Sequence, residues 1–223
     1  VPTPGFNPGL PLGSPACNID DVEAEPDVIH KLACWLEHAH SFYDNNGFTV
    51  PTDTIHVQVA DFPWSTAPDA THINLALVEL VNPNNIPGLM AHEHFHNIQS
   101  EHYGPHHMNW WFQEGMAQAM QYVVAGPDTK IQDFFRNANF AEWEHDFFTC
   151  DISNYGDCYR GAVIWLYLME HNALDAASTD YPGLDFVVRF IENLPSSTPT
   201  TSQLWAVLHD LLSDHDTDLD TEM

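Results

Sequence analysis

The sequence predicts an α+β fold. Two kinds of apolar spacing carry that reading: alternation in the first hundred residues, and three- and four-residue steps through most of the second half. Gly104-Pro105 marks the break between them. With 223 residues and 44% hydrophobic content, the chain has enough apolar side chain for one sizeable core.

Residues 1–20 read as an extended arm, crowded with Pro and Gly ("VPTPGFNPGLPLGSPACN"). Residues 21–213 read as one domain, with an α+β part to about 104 and a helical part over 105–213. A helix is expected from about Asp27, because Val28, Leu32, Trp35, Leu36 and Phe42 fall at helical steps after Pro26. "TIHVQVADF" alternates Ile55, Val57 and Val59 as a half-buried strand does, and "THINLALVEL" reads as a second strand. Helices are expected from Leu89 to His102 and from Asn109 to Val124, the latter stopped by Gly126-Pro127. Further helical patterns cover about 128–138, 157–171, 183–193 and 201–213. The tail 214–223 is acidic. Its D-x-D-x-D run opens like a calcium loop but has Leu219 where the turn glycine belongs, so it reads as disordered.

Charge restricts the partners. Five Lys and Arg face 32 Asp and Glu, a formal net charge of −27, which repels nucleic acid and anionic membranes. No apolar run approaches the ~18 residues that a membrane span needs. Acidic excess fits a salty or acidic external milieu or a demand for calcium, and the sequence does not separate these; Ca2+ has no ligand loop to support it. The chain opens at Val1 without a charged-then-apolar leader, the expectation for an exported chain already trimmed, secreted or periplasmic. Four cysteines in such a chain favour the disulfides Cys17–Cys34 and Cys150–Cys158, with buried free thiols as the alternative.

The chemistry lies in "MAHEHFHN" and "WWFQEGMA". His92 and His96 stand one helical turn apart, so both imidazoles leave the same face and suit adjacent corners of a zinc tetrahedron. Glu93 sits one residue round, placed to take a proton without ligating. In a chain with 15 histidines, random order gives H-E-x-x-H roughly once in 20 such chains. Glu114, eighteen residues after His96, changes those odds. On a second helix folded back on the first, it completes a two-His, one-Glu ligand set that leaves one coordination position open. Gly115 and Ala117 are expected to let these two helices approach closely. The alternative for Glu114 is a carboxylate favoured by the helix macrodipole. Mixed nitrogen and oxygen ligands suit one catalytic Zn2+ over calcium or magnesium.

Among the other candidates, Gln118 lies one turn after Glu114, as a partner orienting that ligand or as a surface glutamine. His94 points off the ligand face, to pack or to meet solvent. His102, His106 and His107 are expected in the connecting loop, where His107 is a candidate to touch substrate.

H-E-x-x-H followed after eighteen residues by W-x-x-E-G-x-A resembles the gluzincin metallopeptidases, especially the branch near aminopeptidase N and leukotriene A4 hydrolase. The likeness covers residues 86–125 well and the helix after Gly161 weakly. It implies a zincin-like metallopeptidase domain with zinc ligands His92, His96 and Glu114, the general base Glu93, and a peptide or protein substrate. That branch carries Y-x-x-G before an apolar helix, its tyrosine stabilising the oxyanion. Here Cys158 stands in the tyrosine position of "CYRG", leaving Tyr159 and then Tyr155 as substitutes, or as ordinary packing tyrosines. The G-x-M-E-N motif that reads a substrate's free amine is absent, which favours an endopeptidase. The alternative from another class is a zincin-fold binding module that holds metal without turnover; an intact Glu93 argues against it.

Overall fold

The computed structural model describes residues 27–104, 109–126, 161–172 and 183–213. It is α+β and mostly helical, with six α-helices and one three-stranded sheet among these residues. The described chain forms two compact units. One runs to Glu101 and includes Met120–Gly126; the other comprises His102–Ala119 and the residues after Gly126. No described helix is long and apolar enough to cross a membrane.

In the first unit, α1 (Val28–Asn45) starts where the sequence places it, because the Asp27 carboxylate accepts from the amides of Ile29 and His30 at 2.9 and 3.4 Å. The strands β1 (His56–Ala60), β2 (Thr66–Asp69) and β3 (His72–Ala76) lie in the order β1-β3-β2, with β3 parallel to β1 and antiparallel to β2. Ile73 and Leu75 alternate inward from β3 and join Leu32, Trp35 and Leu36 of α1 and Ile86 and Met90 of α2 (Ile86–Tyr103) in one core. Each such fully buried side chain contributes about 1.5–3 kcal/mol.

Three expectations change here. The second strand stops at Ala76, and Leu77–Val81 forms a 3-10 turn rather than more strand. Its Leu77 and Val78 are 56% and 68% exposed while Leu80 joins the core, so the run does not bury alternate residues as a strand would. β2 was not expected from "TAPD", which is short and interrupted by Pro68. α2 begins at Ile86, three residues before the expected start at Leu89, in a chain already wound by the 3-10 turn Pro83–Asn85.

The second unit packs α3 (Trp110–Ala125, to Ala119), α4 (Gly161–His171), α5 (Leu184–Glu192) and α6 (Thr201–Ser213) around aromatic rings. Phe112 stacks on Phe190 at 5.8 Å and meets Trp205 edge-on at 5.0 Å, while Trp165 meets Phe190 at 4.9 Å. α5 buries Leu184, Val187 and Ile191, a stripe at three- and four-residue steps. Gly183 starts it with φ +88°, and any β-carbon there would stand 1.8 Å from the Met169 carbonyl oxygen. α6 starts at a reciprocal cap: Gln203 N donates to Thr200 Oγ1 and Thr200 N donates to Gln203 Oε1, at 3.3 and 2.8 Å.

Cys34 is buried in α1 and disulfide-bonded. Cys17, Cys150 and Cys158 lie outside the described residues, and with them both expected pairings. The arm 1–20, the pattern at 128–138 and the tail 214–223 lie outside them too.

Candidate metal centre

α2 is buried all round from Met90 to Gln99, although "HEHFHNIQ" is largely polar. A helix enclosed in this way is ordinarily apolar, so its polar side chains need partners or a ligand. Two aromatic residues hold it in the first unit. Phe95 packs against Tyr43 and Phe48 at 5.5 and 5.7 Å, and the Tyr43 hydroxyl donates to the Ala91 carbonyl at 2.9 Å, one residue before His92.

His92 and His96 project from one face, their Nε2 atoms 3.1 Å apart. Two imidazoles bound at about 2.0–2.1 Å to one tetrahedral ion hold their nitrogens about 3.3–3.4 Å apart. The observed spacing matches that to within a few tenths of an ångström. Glu114 on α3 is the third member: ligand atoms of His92, His96 and Glu114 all lie within 4.8 Å of one another, and all three residues are buried. Glu93 is buried as well and is not one of the group. A divalent cation fits this donor set, since two positive charges would offset the carboxylates of Glu93 and Glu114 in a site of low dielectric.

His94 packs rather than meeting solvent. His40 Nδ1 and His94 Nε2 lie 3.1 Å apart with their rings stacked, and His94 Nδ1 reaches Asn97 Oδ1 at 3.4 Å. Asn97 in turn donates to the carbonyls of Asp69 and His72 at 2.6 and 3.0 Å, fixing the turn between β2 and β3 to α2. Burial drives the His94 imidazole down to about 3, the His40 ring adding to this and Asn97 opposing it. His94 is therefore neutral, and one direction of hydrogen bonding satisfies the whole series: His40 Nδ1–H to His94 Nε2, His94 Nδ1–H to Asn97, Asn97 to the turn.

Gln118 is buried rather than at the surface, and its Nε2 has no hydrogen-bond partner among the described residues. His102 belongs to the last turn of α2 and not to a loop. His106, His107, Tyr155 and Tyr159 lie outside the described residues. Gly115 faces α4. Its missing β-carbon would stand 2.9 Å from the Cα of Gly161 and close to Trp165, both on α4, while one on Gly88 would stand close to the side chain of Gln121.

Sequence reasoning missed Gln99. Its Oε1 lies 2.7 Å from His96 Nδ1, three residues along the same helix. That spacing was legible in H-x-x-Q, since residues three apart on a helix are neighbours.

Comparison with protein families, with curated proteins and with solved structures finds no match to this chain.

Proposed function

We propose that this protein is a secreted zinc-dependent metallopeptidase of gluzincin type, with a zincin-like fold and endopeptidase activity. The observation that carries the reading is the convergence of His92, His96 and Glu114, all buried, with Glu93 buried beside His92 in sequence. The three ligands would hold one zinc ion. When bound, the metal would polarise the scissile carbonyl and acidify the attacking water. Glu93 would accept the proton of that water as general base and pass it to the leaving amine. The intact Glu93 favours turnover over simple metal binding, because a binding site has no need of the base.

The test is a digest of a mixed peptide library, with metal analysis of the same samples. Wild type is expected to carry near-stoichiometric zinc and to cleave in a chelator-sensitive way, with zinc restoring activity. His96→Ala should lose both. Glu93→Gln should keep zinc and the fold and lose about 10²–10⁴-fold in hydrolysis, since an amide cannot take the proton. Zinc binding without any cleavage would point instead to a binding module. Cleavage indifferent to chelator, or a wild type as free of zinc as His96→Ala, would overturn the proposal.

A further inference from the structure

We infer that Gln99 is a positioning residue that fixes the tautomer and orientation of the ligand His96, an inference that rests on the zinc site proposed above. The side-chain amide oxygen of Gln99 can only accept a hydrogen bond, and it lies 2.7 Å from His96 Nδ1. His96 Nδ1 therefore carries the proton. A neutral imidazole has one N–H, so the lone pair is left on Nε2, the atom that faces His92 Nε2 at 3.1 Å. Gln99 is 1% exposed, which keeps water from taking over as acceptor. Both residues stand on the buried stretch of α2, so the bond is held by the helix itself and not by a loop.

The residue type is informative. A carboxylate at 99 would also accept from Nδ1, but Glu93 and Glu114 are already buried, at 4% and 6% exposed. Two carboxylates balance a dication; a third would leave negative charge in a site shielded from water. A neutral acceptor orients His96 without that excess. Partners of this kind behind a metal ligand are commonly worth 10–100-fold in metal affinity.

The experiment measures zinc affinity of the full chain by competition with a chromophoric chelator, for wild type, Gln99→Leu, Gln99→Glu and His96→Ala. It is paired with the ring-nitrogen NMR spectrum of His96 in the metal-free protein and with circular dichroism to confirm folding. Wild type should show the Nδ1–H tautomer. Gln99→Leu should bind zinc about 10–100-fold more weakly and lose that signature. Gln99→Glu should restore the tautomer and bind at least as tightly as wild type, a rescue that a merely space-filling glutamine would not produce. The wild-type spectrum needs no variant to fold: an Nε2–H tautomer there overturns the inference. Equal zinc affinity of Gln99→Leu and wild type overturns it while leaving the zinc site standing. A wild type that binds no zinc removes the site and this inference together.

Discussion

Gly115 and Gly161 meet backbone to backbone where α3 crosses α4. A β-carbon on Gly115 would stand 2.9 Å from the Cα of Gly161, and one on Gly161 would stand 2.9 Å from the Trp111 carbonyl oxygen. Alanine favours a helix over glycine by about 1 kcal/mol, so Gly115→Ala would stabilise an isolated helix. Here the obstacle is backbone, and overpacking of that kind costs about 1–3 kcal/mol or more. Gly115→Ala is expected to lower Tm and, because Glu114 is its neighbour, to weaken zinc binding. Gly88→Ala is the contrast, since the atoms nearest its β-carbon belong to the side chain of Gln121, which can shift. Thermal melts of the two variants should show the larger loss for Gly115→Ala.

Asn97 gives the second prediction. Its amide donates to two backbone carbonyls, those of Asp69 and His72. Asn97→Ala leaves both without that donor, a cost of about 1–3 kcal/mol. Asn97→Asp should be at least as damaging at neutral pH, because a carboxylate brings oxygen against two carbonyl oxygens and cannot donate. Denaturant melts would rank the variants, and hydrogen exchange should rise first at Ala70 and Thr71. An aspartate as stable as wild type would refute the assigned direction of these bonds.

What the sequence made legible follows from how local each feature is. His92, His96 and Glu93 could be read because their relation is one turn of one helix, and the start of α1 because Pro26 immediately precedes apolar residues at helical steps. Leu77 and Val78 misled, because apolar residues in a row look the same whether they extend a strand or wind into a 3-10 turn that exposes them. The pairing of His40 with His94 spans 54 residues, and the meeting of Gly115 with Gly161 depends on how two helices cross. Neither leaves a periodic trace. Gln99 was within reach, three residues from His96, but Gln118 drew notice instead through its spacing from Glu114.

Glu37 predicts a pH dependence of stability. Burial raises its carboxyl above the ordinary value of 4.5, with His30 opposing, and its Oε2 has no hydrogen-bond partner among the described residues. The folded state thus holds this proton to higher pH than the unfolded chain. The group's contribution is fully present below the ordinary carboxylate range and is lost as pH rises through the raised value. Glu37→Gln removes the ionisable group, so its Tm should exceed that of wild type at pH 7, and the gap should close towards pH 4. A Gln variant less stable than wild type at pH 7 would show that the ionised carboxylate is compensated.

The last prediction concerns the group that would stabilise the oxyanion. Cys158 stands where the resembling family has its tyrosine, so under the proposed function the hydroxyl would come from elsewhere. Gly161 pins the start of α4 against Gly115, the residue after Glu114, and Tyr159 lies two positions upstream of Gly161 in the sequence. A preorganised hydroxyl needs no reorganisation as charge develops and so serves the transition state better than a mobile one, and Tyr159 is the phenol nearest in sequence to the position that Cys158 takes. Tyr159→Phe is therefore expected to lower kcat by about 10–10³-fold with zinc content unchanged. Tyr155→Phe is expected to have the smaller effect. Steady-state kinetics on a peptide substrate found in the library digest, with metal analysis of each variant, would decide. If Tyr155→Phe alone lowers kcat, the donor is Tyr155; if both leave kcat intact, neither phenol serves, and His107→Ala becomes the variant to measure.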